Sequence, residues 1–242
     1  MLGTWLNLGS PFSAEIAGLA GFDWVLLDRE HGAGDEKDLA MQILAAQCGG
    51  AASMVRVSGI DTAEMKRALD WGPAGVMVPS VNTVEEAERV VRAVRIPPLG
   101  ARGAASSTRA SGYGFRYREY LERANDGLLT VAQIESVTGL ENCEGIAAVD
   151  GVDVLFVGPT DLAVSMEVAE PATDARFGEA LALVARVAKA AGKAAGILAR
   201  NGVEAERYRA MGYRFISLGS DRGLLAEGFR RAAEQLGGAR VR

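Results

Sequence analysis

One histidine, two cysteines and four lysines are all that these 242 residues hold of three side chains on which much enzyme chemistry relies. Each scarcity closes a route. Cys48 and Cys143 lie in Ala/Gly-rich, helix-like segments without C-x-x-C spacing. They offer neither a disulfide framework nor a thiolate metal centre, and read as small buried residues in a reducing compartment. No apolar run approaches the ~20 residues a membrane span needs; Val152–Gly158 is typical of what is there. The chain does not open with a basic run followed by an apolar core, so no secretory signal and a cytoplasmic location are expected. Acidic residues (31) outnumber basic ones (26), for a net charge of −5, and the two signs are interspersed. That is a solvated surface, and it excludes a nucleic-acid footprint.

What the chain does have is a repeated alternation. Short apolar, β-branched runs occur at Gly3–Leu8, Trp24–Leu27, Ser53–Val57, Gly75–Pro79, Leu129–Ile134, Val154–Val157, Ala195–Leu198 and Phe215–Leu218. Their nearly continuous hydrophobicity suits strands covered on both faces in a parallel sheet. Helix-start signals follow at Asp61-Thr62-Ala63-Glu64, Asn82-Thr83-Val84-Glu85 and Asn201-Gly202-Val203-Glu204, and Gly72, Gly192 and Gly212 mark helix ends. Strand then helix, eight times, predicts an α/β chain folded as a single (β/α)8 TIM barrel over residues 1–242. A doubly wound sheet would want a G-x-G-x-x-G after an early strand, and none is present. One stretch breaks the rhythm. Ile96–Asp126, rich in Gly, Tyr and Arg, is long enough to be a functional loop, a lid or a subunit contact.

In such a barrel the C-terminal strand ends converge on one mouth, where chemistry occurs. Strand two brings Asp28, Glu30 and His31 there. Strand three brings Arg56, strand five Gln133 and Glu135, and strand six leads into Gly158-Pro159-Thr160-Asp161. His31 is the one side chain whose ordinary pKa lies near neutrality, a candidate general acid or base for a neighbouring acid to orient; it could equally be a structural histidine bonded to Asp28 or Glu30. Glu135 and Asp161 would repel if buried together unless one is protonated or a cation lies between them. Oxygen-only ligation favours Mg²⁺ or Mn²⁺ over zinc; read alone, Asp161 is also an ordinary helix cap. Backbone N–H groups of Gly158–Asp161 at a helix start can hold a carboxylate, and Arg56 supplies a fixed cation. A 2-oxo acid would fit this set, with the metal and Arg56 stabilising the oxyanion that develops at C2. Trp5 and Leu198 are expected as apolar walls of the mouth. A Schiff-base lysine is the other route to an enolate equivalent. Lys37, Lys66 and Lys189 fall on predicted helices or a loop, and Lys193 precedes strand seven, at the wrong end of the barrel.

Gly21-Phe22-Asp23-Trp24, Asp28-x-Glu30-His31, Val55-Arg56-Val57, Val78-Pro79, Gln133-Ile134-Glu135 and Gly158-Pro159-x-Asp161-Leu162 occur in one order along nearly the whole chain. In this the sequence resembles the metal-dependent (class II) pyruvate aldolases of the 4-hydroxy-2-oxoheptanedioate / 2-dehydro-3-deoxyglucarate aldolase family. The resemblance implies reversible aldol cleavage of 4-hydroxy-2-oxo acids to pyruvate, or hydroxypyruvate, and an aldehyde, with Mg²⁺, Mn²⁺ or Co²⁺ as cofactor. It implies that Glu135 and Asp161 are metal ligands, that Arg56 contacts the keto oxygen, that His31 and the acid Asp28 belong to the catalytic group, and that the Thr160 and Asp161 amides cradle the carboxylate. It implies further that Asp70 reaches the histidine of a neighbouring subunit. A homo-hexamer, a trimer of dimers exchanging the last helix, is also implied; Leu224, Leu225, Phe229 and Ala232 would form its apolar face, though that face would also pack within one subunit. Arg29 departs from the family pattern, and either binds a distal acid group, alters the pKa of His31, or points away and pairs with a surface carboxylate. An alternative function is a phosphate-binding barrel isomerase or lyase, carried by the glycine-containing turn Leu218-Gly219-Ser220-Asp221.

Overall fold

The protein is described here by a computed structural model covering residues 1–235. Eight parallel strands close into a barrel, each hydrogen-bonded to the next in sequence and the eighth to the first. The chain runs β1 (Leu2–Leu6), α1 (Pro11–Leu19), β2 (Trp24–Asp28), α2 (Glu36–Cys48), β3 (Ala52–Arg56), α3 (Thr62–Asp70), β4 (Gly75–Val78) and α4 (Val84–Val94). It continues through α5 (Tyr117–Arg123), β5 (Leu129–Ile134), α6 (Val137–Glu141), α7 (Cys143–Ala148), β6 (Val154–Val157) and α8 (Pro159–Ser165). The last elements are α9 (Ala175–Ala190), β7 (Ala194–Ala199), α10 (Gly202–Met211), β8 (Phe215–Ser220) and α11 (Asp221–Gln235). No helix among the described residues is long and apolar enough to cross a membrane.

The helix starts expected from sequence are built by side chains. Asp61 accepts the N–H groups of Ala63 and Glu64, Thr83 that of Glu86, and Asn201 that of Glu204, satisfying donors that a helix start leaves open. Gly212 ends α10 at φ +108°, a conformation glycine adopts without a Cβ clash.

Two apolar layers position the site. Outward-facing strand residues pack under the helices. The barrel interior is a separate cluster of Trp5, Trp24, Leu26, Met54, Met77, Val131, Val154, Phe156 and Phe215. Trp24 stacks on Phe215 with ring centroids 4.0 Å apart. Gly3 makes room for it: on the neighbouring strand, opposite Trp24, a Cβ would sit 2.1 Å from the indole. Side chains alternate along a strand, so the positions two beyond these interior residues project inward at the mouth. After Trp5 comes Asn7, after Leu26 Asp28, after Met54 Arg56, after Val131 Gln133 and after Phe156 Gly158. The packing that fills the barrel therefore also chooses which polar residues line its open end.

Two expectations are corrected here, and the last helix departs from the usual barrel pattern. Ile96–Asp126 joins α4 to β5, which places it at the N-terminal ends of the strands, opposite the mouth; it is no lid on its own barrel. Its backbone is tied to that end by Ala110 N–H to the Asp70 carbonyl. Cys48 is exposed, while Cys143 is buried as expected. α11 does not cover its own barrel as a helix following a strand usually does: beyond Asp221 none of its side chains is buried.

Gly3→Ala forces a methyl group into the Trp24 indole, an overpacking cost of about 1–3 kcal/mol. Urea unfolding followed by tryptophan fluorescence is expected to show a lower midpoint with an unchanged slope.

Candidate active site

Arg56 is the anchor of the mouth. The residue is only 3% exposed, a costly place for a charge without partners. Its Nε and Nη2 donate to the two carboxylate oxygens of Asp28 at 2.9 and 2.8 Å, a bidentate fork set by the β2–β3 register that pairs Asp28 with Arg56. Nη1 lies 2.6 Å from Glu30 Oε2, and the guanidinium carbon stands 4.3 Å above the Trp5 ring. Trp5 is itself fixed by its indole N–H donating to Ser217 Oγ at 2.9 Å. Two of the five guanidinium N–H bonds donate to Asp28; Nη1 is close enough to Glu30 Oε2 for an ion pair but makes no hydrogen bond to it, so N–H groups on both terminal nitrogens remain for a ligand.

Asp28 is consequently committed. Besides Arg56, its oxygens accept Asn7 Nδ2 at 2.5 Å and the backbone N–H groups of Glu30 and His31 at 3.1 and 3.3 Å. It orders the His31 backbone and does not bond the imidazole. The imidazole, 67% exposed, has Glu30 Oε1 at 3.9 Å from Nε2 as its one ion-pair contact within 4.0 Å among the described residues. The acid that sequence reasoning wanted beside His31 is thus not supplied within hydrogen-bonding distance by its own strand end.

Across the mouth, Glu135 follows β5. Its Oε1 accepts both the backbone N–H and the hydroxyl of Ser80, at 2.8 and 2.9 Å, and its Oε2 accepts from Gln133 Nε2. Ser80 sits at φ +52°, a strained value for a residue with a Cβ, held where both donors reach one carboxylate oxygen. Burial raises the Glu135 carboxyl above its ordinary range; the Ser80 bonds oppose this, and the charges of Asp161 and Glu30 add to it. Gly158 permits the arrangement, since a Cβ there would lie 2.5 Å from Glu135 Oε2 and 2.7 Å from Gln133 Nε2. Asp161 is exposed in the first turn of α8, whose start carries no side-chain cap. The capping reading of Asp161 is therefore not what the structure shows, and the N–H groups of Thr160 and Asp161 have no protein acceptor among the described residues.

These donors fit a hard divalent cation. Gln133 Oε1 is buried without a hydrogen-bond partner, and the charge of Asp161 adds to burial in raising the cost of ionising Glu135. No three His, Cys, Asp or Glu side chains gather as a closed cage among the described residues. An open set of few protein oxygens suits an ion that keeps several waters.

The remaining predicted residues fall elsewhere. Leu198 lies beside Pro159 and Thr160 in a mostly apolar cavity of about 350 Å³ that also meets Arg200, Arg207 and Tyr208. Asp70 is at the C-terminal end of α3, the end of the barrel remote from its own His31, with its carboxyl raised by burial against the influence of Lys66 and Arg102. Arg29 turns toward the loop after β2 and donates to the Gly34 carbonyl at 3.4 Å. In the turn after β8, Asp221 accepts the N–H groups of Asn7, Leu8 and Arg222. An internal carboxylate already fills the place a phosphate would take. Sequence reasoning missed Ser80 and Asn7. Each is a polar residue just past a strand end, although the positive φ on which the role of Ser80 depends is not marked by residue type.

A family model described as HpcH/HpaI aldolase/citrate lyase matches residues 1–228. A hydroxypyruvate/pyruvate aldolase of Paraburkholderia phytofirmans is 41% identical over 91% of this chain and 87% of its own. A 5-keto-4-deoxy-D-glucarate aldolase of Salmonella arizonae is 39% identical over 96% of this chain and 91% of its own. The crystal structure of a member of the same family from Burkholderia cenocepacia superposes with a TM-score of 0.92 at 38% identity, covering 98% of this chain and 94% of that one.

Glu135→Gln tests the cost of the buried carboxylate. A carboxyl whose folded pKa is raised contributes stability at low pH that is lost as pH rises through that pKa. In chelator at neutral pH the neutral variant is therefore expected to melt at or above the wild type. Adding Mg²⁺ or Mn²⁺ should raise the melting temperature of the wild type and not that of the variant. A variant that melts lower in chelator contradicts the assignment.

Proposed function

The chain belongs to the HpcH/HpaI aldolase/citrate lyase family, and on that footing we propose that it cleaves 4-hydroxy-2-oxo acids reversibly into pyruvate, or hydroxypyruvate, and an aldehyde. The observation that carries this reading is the buried guanidinium of Arg56, forked on Asp28 at 2.8–2.9 Å with N–H groups on both terminal nitrogens unspent. It shares the mouth with a desolvated carboxylate that senses Asp161 and Glu30. A fixed positive group beside acidic oxygens fits a 2-oxo acid, whose C2 oxygen gains negative charge as its C3–C4 bond breaks.

Glu135 and Asp161, with Gln133 Oε1, would hold Mg²⁺, Mn²⁺ or Co²⁺. Bound there, the cation acts as a Lewis acid toward the developing charge. The unbonded N–H groups of Thr160 and Asp161 receive the substrate carboxylate, assisted by the positive end of the α8 dipole. Arg56 donates to the C2 oxygen, and the fork to Asp28 and the Trp5 face hold its plane so that no reorganisation is needed when the charge appears. His31 takes the proton from the C4 hydroxyl. The C3–C4 pair of electrons moves to give the C2–C3 enolate, the aldehyde leaves, and C3 is then protonated to give the 2-oxo acid. Leu198 and the adjoining apolar cavity would receive the aldehyde portion. In this reading Asp28 acts by positioning Arg56 and the His31 backbone.

His31 lacks a bonded acid, and Asp70 sits at the far end of the barrel. A neighbouring subunit offering its Asp70 reconciles the two. Assembly is supported by two exposed apolar faces: Phe12, Ile16 and Leu19 on α1, and Leu224, Leu225 and Phe229 on α11. The α11 face leaves its own barrel uncovered, so exchange of this helix between subunits of a hexamer would bury both.

Dialysis against EDTA is expected to abolish pyruvate release, with Mg²⁺ or Mn²⁺ restoring it. Arg56→Ala and His31→Ala are expected to keep a folded protein and lower turnover about 10²-fold or more. Full activity without metal, or wild-type rates in either variant, would contradict the assignment. Phe229→Glu is expected to reduce the assembly to smaller species in sedimentation velocity; an unchanged particle mass would remove α11 from the interface.

A further inference from the structure

At the end of the barrel opposite His31, a buried charge stands without an ion-pair contact, the Asp70 carboxyl reaching it only at longer range. Arg102 is 3% exposed and its Nε is buried with no hydrogen-bond partner. No carboxylate comes within 4.0 Å of its guanidinium among the described residues. The face of Tyr120, 6.0 Å from the guanidinium carbon, offers only a weak cation–π contact. A buried arginine left this way is expensive unless something else supplies the negative charge.

The surroundings show what that would be. Arg102 lines a cavity of about 280 Å³ whose other charged walls are Arg116, Arg123 and Glu119, all carried on or beside α5. Glu119 pairs with Arg123 at 3.5 Å, leaving Arg102 and Arg116 without an ion-pair partner. Three guanidiniums against one carboxylate leave a surplus of two positive charges in a space the size of a small organic anion. Planar guanidinium forks match tetrahedral oxyanions, and the exposed pair can close on a ligand while the buried one receives it. The floor of the cavity is Leu69, Gly72, Pro73 and Leu128, apolar groups that supply no competing acceptor side chain.

We infer that this cavity binds a small dianion of the phosphate class, held by Arg102, Arg116 and Arg123, at the end of the barrel opposite its own aldol mouth. It stands apart from the turn after β8, where Asp221 already fills the anion position. It is independent of the proposed reaction as well, because binding here requires neither metal nor 2-oxo acid.

The test is calorimetric titration of the intact protein with inorganic phosphate in chloride buffer. Saturable binding is expected, weakened about tenfold or more in Arg102→Gln, as the loss of a charge-assisted fork implies. Arg116→Gln, an exposed change that cannot disturb the barrel core, is expected to weaken it severalfold and decides the matter should Arg102→Gln fail to fold. Ser220→Ala, in the turn after β8, is expected to bind phosphate as the wild type does. Phosphate should also raise the melting temperature of the wild type and not that of Arg102→Gln. The inference is overturned by absence of saturable binding at phosphate on the order of 10 mM, or by unchanged affinity in both arginine variants. Binding lost only in Ser220→Ala overturns it too. So does a phosphate-blind protein whose particle mass changes in Arg116→Glu, since the cavity would then hold a carboxylate of a second copy.

Discussion

A guanidinium taken out of water must be held by negative groups, and the mouth of this barrel is organised by that requirement. Arg56 has lost nearly all its hydration, so Asp28 and Glu30 are drawn to it and Trp5 covers it. Once Asp28 is spent in this way, the backbone that bonds it fixes the turn carrying His31. The same requirement runs in reverse on the other side. Glu135 has lost water too, and Ser80 answers it with two donors from a strained backbone. One half of the mouth is thus a cation satisfied by acids. The other is an acid given neutral donors by Ser80 and Gln133, with further acids and an unpartnered amide oxygen beside it, an imbalance that a divalent ion would correct.

Barrel packing and chemistry share one period. Interior side chains occur at every second strand residue, and the polar groups at the mouth are the next members of those series. Small residues matter as much as large ones. Gly3 admits Trp24 within the core, and Gly158 admits Glu135 and Gln133 at the rim. The stability of the core and the shape of the site are therefore set by one pattern of large and small residues.

The eight strands were legible because each is a buried apolar run, a signal that is local in the chain. Arg56, Gln133, Glu135 and Asp161 were legible as strand-end polar residues for the same reason. What could not be read was pairing. Asp28 was expected near His31, its neighbour in sequence, but register places Arg56 directly across from it, and a buried cation competes better than an exposed imidazole. Ser80 was passed over because strand four ends in Val78-Pro79 with no charge to draw notice. Its role depends on a positive φ that no residue type announces. Length and Gly, Tyr and Arg content mark the Ile96–Asp126 segment as unusual without locating it. Its place follows from topology, since a helix-to-strand connection must lie at the N-terminal end of the barrel. For α11 the sequence leaves packing at home and exchange between subunits equally open, and in the structure Leu224, Leu225 and Phe229 are exposed.

The central claim is that this mouth stabilises negative charge on the C2 oxygen of a 2-oxo acid. Proton NMR of pyruvate in D2O, with enzyme and Mn²⁺ removed before observation and no aldehyde present, isolates that step from carbon–carbon chemistry. The account predicts loss of the methyl signal well above the uncatalysed rate with wild-type protein, falling to background in Arg56→Ala. A methyl group that keeps its protons in the metal-loaded wild type, or exchanges equally fast in Arg56→Ala, would contradict it.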